Sequence, residues 1–343
     1  MNNKKLYVNA ANCHTGGGKT LLNGFIKGLA GITETVIIFV DERFPLNYNV
    51  PDTVKFIKIH RLKRFFVGFK IRREVKENDE ILYFGNLPPF ITFPTSNVYL
   101  LLSSRFYIDS ISLKGFHLRD KIKIFLEKIY FKIFLRNVSS VIVQTSTMHK
   151  LFKSAGHKKQ VLVWAFDDIG VIPIVPGLNF NKEPESFIYV ASLLPYKNHR
   201  RLLQAWKNLK NSGLTPKLYL TIDDNNNIKK WIEEFVMENE LNVIFLRNLR
   251  RDELIEYYEK VEVLIYPSFF EAYGLPLIEA KKYQLKILAS DVDYSWDFIT
   301  PDGFFNPYDI DSITRAVKRY LNRSDTLDQI YTPKEFINKL LAI

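Results

Sequence analysis

Two glutamates, Glu271 and Glu279, stand with seven residues between them in YPSFFEAYGLPLIEAKKY (266–283). Gly274 and Pro276 mark the passage from loop to helix, because proline in a first helical turn forfeits no hydrogen bond. The first acid therefore falls on the loop and the second inside the helix. Unpaired N–H groups of Leu275, Leu277 and their neighbours face whatever lies beyond such a helix start, and they favour an anion. A carboxylate is an acceptor-only group, suited to hydroxyl-rich partners. A lone Glu pair at this spacing reads as a solvated helix face. Behind the apolar run VEVLIYP (261–267), with glycine and proline between the acids, it reads as a site.

A second cluster lies at NAANCHTGGGKT (9–20), where an apolar run, Leu6–Val8, precedes a helix-like segment, 21–29. Gly16, Gly17 and Gly18 could let backbone N–H groups approach a ligand closely, or could simply make a sharp turn. A nucleoside-triphosphate P-loop needs a glycine five residues before Gly18. Cys13 stands there, so that pattern fails.

Of 343 residues, 47% are hydrophobic and 25% charged, a globular composition long enough for two domains. Cys13 is the sole cysteine, which excludes an intramolecular disulfide and a thiolate metal cluster and fits a reducing cytoplasm. The sequence has no signal-peptide apolar region and no run approaching the roughly 18 apolar residues of a membrane span. Charge is uneven: residues 1–160 hold 26 basic and 11 acidic side chains (+15), and residues 161–343 hold 22 and 26 (−4). A basic half attracts polyanions, either nucleic acid or anionic lipid headgroups.

Short β-rich runs alternate with helical stretches throughout. In the second half FIYVASL (187–193), KLYLTI (217–222), NVIFL (242–246), VEVLIYP and KILAS (286–290) are each followed by a helical segment. The first half alternates less cleanly, through TVIIFVD (35–41), TVKFIKI (53–59), EILYFG (80–85), NVYLLL (97–102), SSVIVQT (139–145) and QVLVWAF (160–166). This pattern predicts an α/β chain of two Rossmann-like doubly wound domains facing across a cleft. The expected limits are 1–166 for the N-terminal domain, 167–186 for a proline-containing linker, and 187–343 for the C-terminal domain, whose last helix could pack back on the first. Ligands of such sheets bind beyond the carboxyl ends of the strands, where both clusters lie.

Taken in order, the Gly-rich turn, ASLLPYKNHRRLLQAW, RRDELIEYYEKVEVLIYPS, FEAYGLPLIEA and KILASDV resemble the retaining glycosyltransferases of the GT-B fold, of the Glu-x7-Glu type (glycosyltransferase family four, group one), in its bacterial surface-polysaccharide branch. The resemblance covers most of the chain. It implies transfer of a hexose from a nucleotide diphosphate sugar, GDP- or UDP-linked, to a saccharide acceptor, in O-antigen, capsule or lipopolysaccharide synthesis, with no metal or other cofactor. It implies that Glu271 accepts hydroxyls of the donor sugar and Glu279 those of the ribose. Lys197 neutralises the leaving phosphate, with Glu271 and Lys197 as the catalytic pair. Tyr273, Gly274, Leu275, Ser192 and the glycines 16–18 complete the donor site. Two departures stand out. Ser192 occupies the place of a frequent arginine five residues before the lysine, with Arg200 and Arg247 as candidate substitutes. In YLLLSSRFYID, Ser103, Ser104 and Arg105 stand where the family often has a histidine. A retaining transfer needs no dedicated base, because the leaving phosphate can help deprotonate the acceptor.

Asp291-Val-Asp293 looks like a metal-binding Asp-x-Asp but reads as a loop after KILAS. The six histidines show no zinc-type spacing. The alternative function is a basic Rossmann-like nucleotide- or nucleic-acid-binding protein without transferase activity, for which RLKRFFVGFKIRR (61–73) is the best stretch. Against it stands LRDKIKIFLEKIYFKIFLR (118–136), whose lysines are spread among Ile, Phe and Leu. That is the composition either of a helix lying in a membrane interface or of a buried helix with a basic outer edge. The reading adopted is an anionic membrane surface and a lipid-linked acceptor as partners, with no nucleic acid, and a cytoplasmic location on the inner face of the membrane.

Overall fold

The computed structural model describes residues 4–322 apart from 15, 47, 95–96, 167–179, 223–226 and 248. Most of the expected linker and the expected final helix lie outside the described residues.

The first half builds β1 (Lys5–Ala10), α1 (Gly16–Lys27), β2 (Thr35–Asp41), β3 (Val54–Ile59), α2 (Val67–Glu74), β4 (Glu80–Phe84), β5 (Val98–Leu101), α3 (Leu118–Phe134), β6 (Ser140–Val143), α4 (Ser146–Ser154) and β7 (Gln160–Val163). The second builds β8 (Glu183–Tyr189), α5 (His199–Asn211), β9 (Lys217–Ile222), α6 (Asn227–Glu238), β10 (Val243–Arg247), α7 (Arg251–Lys260), β11 (Val261–Tyr266), α8 (Leu275–Lys282), β12 (Lys286–Ser290), β13 (Gly303–Phe305) and α9 (Ile310–Tyr320).

Among the described residues these strands form two sheets, ordered β3-β2-β1-β4-β5-β6-β7 and β10-β9-β8-β11-β12-β13. Their pairings are parallel, for example Leu6 with Val36 and Val263 with Phe187. Strands buried on both faces need continuous apolar runs rather than alternation, and SVIV of β6 is buried throughout. In each sheet the order reverses once, between β1 and β4 and between β8 and β11. The glycine turn leaves β1; the Lys197 loop leaves β8 and the Glu271 loop leaves β11. The chemistry-bearing segments thus leave the topological switch points, where doubly wound sheets open a crevice.

Several local expectations shift. Helix α1 begins at Gly16, so the glycines are its first turn rather than a loop before it. Strand β8 starts at Glu183, inside the segment read as linker, and β7 stops at Val163, three residues short of the expected end. Helix α3 is not a buried helix with a basic edge, because Phe131 is its sole buried residue. Leu118, Ile122, Phe125, Leu126, Ile129 and Ile133 are exposed along one helical face instead, Phe125 by 63%.

Buried apolar residues gather into one cluster in the second half and two in the first. The two first-half clusters also receive side chains from the second: Ala272 packs on one, and Tyr273, Leu275 and Ile278 join the other. The loop carrying Glu271 is thereby seated on the opposite domain.

At the end of β2 the Asp41 side chain is inaccessible to solvent and binds both Arg43, at 2.7 Å, and Arg64. Bonds from Arg43, against the opposing effect of burial and with help from Arg64, hold its carboxyl below the usual range. A carboxylate with a depressed folded-state value contributes stability above the unfolded value of about 3.9 and loses it as pH falls through the folded one. Asp41→Asn is expected to cost about 2 kcal/mol at pH 7, since the bonds involve ionised groups. In urea unfolding at a series of pH values, the gap between wild type and variant should close below pH of about 4.

Candidate active site

Lys197 ends a 3-10 turn, Pro195–Lys197, and is followed by Asn198 in the left-handed region at φ +62°. Asparagine tolerates that conformation better than other non-glycine residues. Its side-chain Nδ2 donates to the Pro267 carbonyl, at 3.0 Å, and to that of Pro307, at 2.8 Å. The Phe269 N–H donates to the Tyr196 carbonyl at 2.9 Å. The loop after β8 is therefore fastened to the loop after β11. Lys197 Nζ consequently lies 2.6 Å from Glu271 Oε1, both side chains about nine-tenths buried.

Tyr266, the last residue of β11, donates its hydroxyl to the same Oε1 at 3.0 Å. Burial, reinforced by the Glu271 charge, raises the Tyr266 phenol well above its ordinary value and keeps it a donor. Both bonds fall on Oε1. Oε2 has no protein partner among the described residues and suits a ligand hydroxyl.

Gly274 precedes α8 at φ +73°, where a Cβ would stand 3.2 Å from Leu277 Cδ1. Conformation and space together require glycine. Helix α8 has no side-chain cap; Pro276 has no N–H and the Leu277 N–H, expected to face a ligand, donates instead to the Gly274 carbonyl at 2.9 Å, which leaves the Leu275 amide at this helix start for a ligand. One turn further along, Glu279 is buried and its Oε2 accepts from the Tyr258 hydroxyl at 2.9 Å. Tyr273 is buried and donates to the Phe166 carbonyl at 3.1 Å, across the domains.

Gly16 has φ +57°, and a Cβ at Gly16 or Gly17 would meet nothing within 4 Å. Packing does not demand glycine at position 17, which leaves room for a ligand. Cys13 Sγ sits 2.8 Å from the Phe84 carbonyl, and burial pushes its thiol up to about 12, so it remains protonated. Tyr273 and Cys13 share one apolar cluster, with Leu275 and Ile278 packed on it, so the start of α8 and the segment leading into the glycine turn rest on the same core.

Ser192 is exposed, its carbonyl accepting from the Leu194 N–H. Of its candidate substitutes, Arg247 pairs with Glu233 at an exposed position on β10. Arg200 lies in the first turn of α5. Arg105 has a role the residue pattern did not disclose. It is 7% exposed and bridges Asp109, at 2.6 Å, and Asp293, at 2.8 Å, while Nη1 also reaches the Glu271 carbonyl at 3.4 Å. Burial opposes its charge, but Asp293 and Asp109 outweigh burial and hold its value up. Asp293, read as part of a loop, begins a 3-10 turn and is committed to this cation. Tyr258 and Tyr266 were likewise hidden, because a strand or helix terminus rich in tyrosine carries no signal of which hydroxyl meets a carboxylate.

A buried ion pair that loses one member leaves an uncompensated charge, at a cost of roughly 3–5 kcal/mol, whereas apolar replacement of both members is often neutral. Lys197→Met and Glu271→Leu are expected to show that loss singly, and the double variant to regain most of it in urea unfolding. A double variant no more stable than the weaker single one would mean that the two side chains are not energetically coupled.

A family model, glycosyl transferases group 1, matches residues 173–334. The serotype-specific mannosyltransferase WbdA of Escherichia coli is 31% identical over 109 residues, 31% of this chain and 13% of WbdA. The O-antigen chain mannosyltransferase RfbU of Salmonella typhimurium is 24% identical over 217 residues, 60% of this chain and 58% of RfbU. The chain thus spans less than two thirds of either relative. Among solved structures, WaaG, a glycosyltransferase involved in lipopolysaccharide biosynthesis, superposes with a TM-score of 0.64 at 14% identity, over 93% of this chain and 90% of that one. Anabaena Alr3699/HepE in complex with UDP and glucose gives 0.60 at 14% identity, over 93% and 89%. With its switch-point loops, glutamate pair and helix start in this arrangement, the chain has the GT-B fold, and its residues 173–334 match the family model of the group 1 glycosyl transferases.

Proposed function

We propose that the protein is a retaining hexosyltransferase that takes its sugar from a nucleotide diphosphate donor. The reading rests on one observation above the others: Glu271 and Glu279 are both buried and tyrosine-bound, on either side of an uncapped helix start. In this reading Glu279 accepts ribose hydroxyls while the Leu275 amide, at the start of α8, meets the diphosphate. Oε2 of Glu271 accepts from the hexose. Lys197 moves part of its charge from Glu271 to the departing phosphate, where stabilising leaving-group charge lowers the barrier. Gly17, with open space above it, lets the diphosphate approach the backbone. Retention fits the engagement of Glu271: bound to Lys197 and Tyr266, it is a positioning group rather than an unattached base. Positioning then carries much of the rate enhancement.

Mannose is the first sugar to test, because WbdA and RfbU are both named mannosyltransferases; the UDP in HepE keeps the base open between GDP and UDP. O-antigen or related lipopolysaccharide synthesis is the setting that these relatives and WaaG support. Thermal stabilisation across UDP, GDP, their sugar conjugates and ATP tests the donor site. One diphosphate nucleotide should raise Tm and Glu279→Ala should lose that response; stabilisation by ATP or RNA alone would overturn the reading.

The exposed face of α3 supports an anionic leaflet as a partner, and with it a lipid-linked acceptor. This apolar face is flanked by Arg119, Lys121, Lys123 and Lys132, and no helix among the described residues is long and apolar enough to cross a membrane. Such a helix would lie in the interface, each basic residue near the surface adding about 1 kcal/mol. Exposed Leu62, Phe65 and Phe66 belong to the neighbouring surface: Phe69 packs on Phe90 at 5.3 Å, and Tyr130 of α3 donates to the Pro88 carbonyl. The basic aromatic stretch 61–73 and α3 are thus linked through the segment 88–90. Cosedimentation with vesicles should require anionic lipid and weaken in Phe125→Asp; binding indifferent to lipid charge would sink this assignment.

A further inference from the structure

A cavity of about 960 Å³ opens beside the Lys197–Glu271 pair, between the first-domain loop 109–120 and the N-terminus of α5. Its wall includes Tyr196, Asn198 and His199, around Lys197, and Phe269 and Phe270, before Glu271. Lys197, Glu271, Gly274, Leu275 and Glu279 do not line it, but Arg105 does, whose Nη1 reaches the Glu271 carbonyl at 3.4 Å. The cavity therefore borders the Glu271 loop on the side of Arg105. Its size suits a ligand of one or two sugar units.

Three independent features of this wall point to what it holds. Helix α5 begins without a capping side chain and without an acid in its first turn, so the amides of its first residues are unclaimed. That same turn carries Arg200 and Arg201. Neither forms an ion pair among the described residues; they lie over Trp231, at 4.2 Å, and Phe269, at 5.3 Å, respectively. An uncapped N-terminus reinforced by two arginines is a strong anion receptor. The second feature is His199, 1% exposed, with both ring nitrogens lacking a hydrogen-bond partner. Burial, with the Lys197 charge adding to it, pushes this imidazole down to about 3. It is neutral at pH 7, with one donor and one acceptor unused. Both nitrogens are closed to water, so a ligand hydroxyl meets them only if the ring turns toward the cavity. The third feature is aromatic. Tyr196 and Phe270 stack at 4.3 Å, Phe269 and Tyr308 at 4.8 Å, and Phe116 stacks against Tyr196 at 6.5 Å. Flat apolar faces beside polar groups suit the C–H faces of a pyranose.

We propose that this cavity is the acceptor subsite and that it selects an anionic saccharide, whose carboxylate or phosphate is held by Arg200, Arg201 and the first amides of α5 while its ring rests on the aromatic wall. The proposal rests on the transferase reading above. It also assigns Arg200 a partner other than the donor diphosphate, so the absent arginine at Ser192 is not replaced from α5.

The test uses the full chain and titrates mannose, glucuronate, mannose 6-phosphate and inorganic phosphate, at millimolar concentrations, against wild type and the double variant R200A/R201A. A parallel arm titrates UDP and GDP. Expected is binding of glucuronate or mannose 6-phosphate at least tenfold tighter than mannose and inorganic phosphate, lost at least tenfold in the double variant, with the nucleotide response retained. Preference for glucuronate identifies a uronic-acid acceptor, and preference for mannose 6-phosphate a phosphorylated one. Equal binding of mannose, equal binding of inorganic phosphate, binding unchanged in the variant, or no sugar binding by a wild type that does bind nucleotide would each overturn the proposal. A wild type that binds neither nucleotide overturns the transferase reading instead, in its own arm.

Discussion

A cation and a carboxylate 2.6 Å apart, both withdrawn from water, are stable only as a pair, and the surrounding loops are shaped to keep them one. Asn198 accepts a left-handed backbone so that its amide can grip Pro267 and Pro307. Tyr189 reaches the Lys197 carbonyl at 2.6 Å from β8, and Tyr266 reaches Glu271 from β11. Strands on either side of the switch point thus each supply one charge and one tyrosine. Neighbouring strands in a parallel sheet have their carboxyl ends side by side, which is why a pair assembled there needs no long connecting loop.

Much of this architecture was legible in the order of residue types. Alternating apolar runs and helical stretches foretold two parallel sheets, because strands covered on both faces cannot hide their composition. Gly274 and Pro276 located the start of α8 to the residue, since positive φ and a missing N–H are properties of single side chains. What stayed hidden depends on distance in space rather than on type. Arg105 could be seen to replace a histidine, but its bonds to Asp293 and Glu271 span 188 and 166 positions. His199 reads as one more polar residue in a helical run, and its burial becomes apparent only when α5 is laid on the sheet. Helix α3 shows the converse: bulky apolar residues at helical spacing fit a core and an interface equally, and solvent exposure alone separates them.

Charge and apolar surface are divided between the halves in a way that separates tasks. The first half holds the excess of positive charge and the exposed apolar faces, while the second, slightly acidic, carries the buried glutamate pair. A polyanionic surface would therefore attract one domain and leave the other to face a soluble substrate. The cleft between them is where the two environments meet.

The turn from Asp293 to Asp297 holds the two domains at both of its ends. Asp293 binds Arg105, and Asp297 accepts from the N–H and hydroxyl of Thr147 at 3.2 and 3.0 Å, at the start of α4. Because one short segment carries both clasps, they are mechanically in series with the backbone between them rather than independent locks. A twist of that turn would act on both clasps at once, and on the Glu271 carbonyl that Arg105 also reaches, while the Tyr273 bond to Phe166 ties the domains at a separate place.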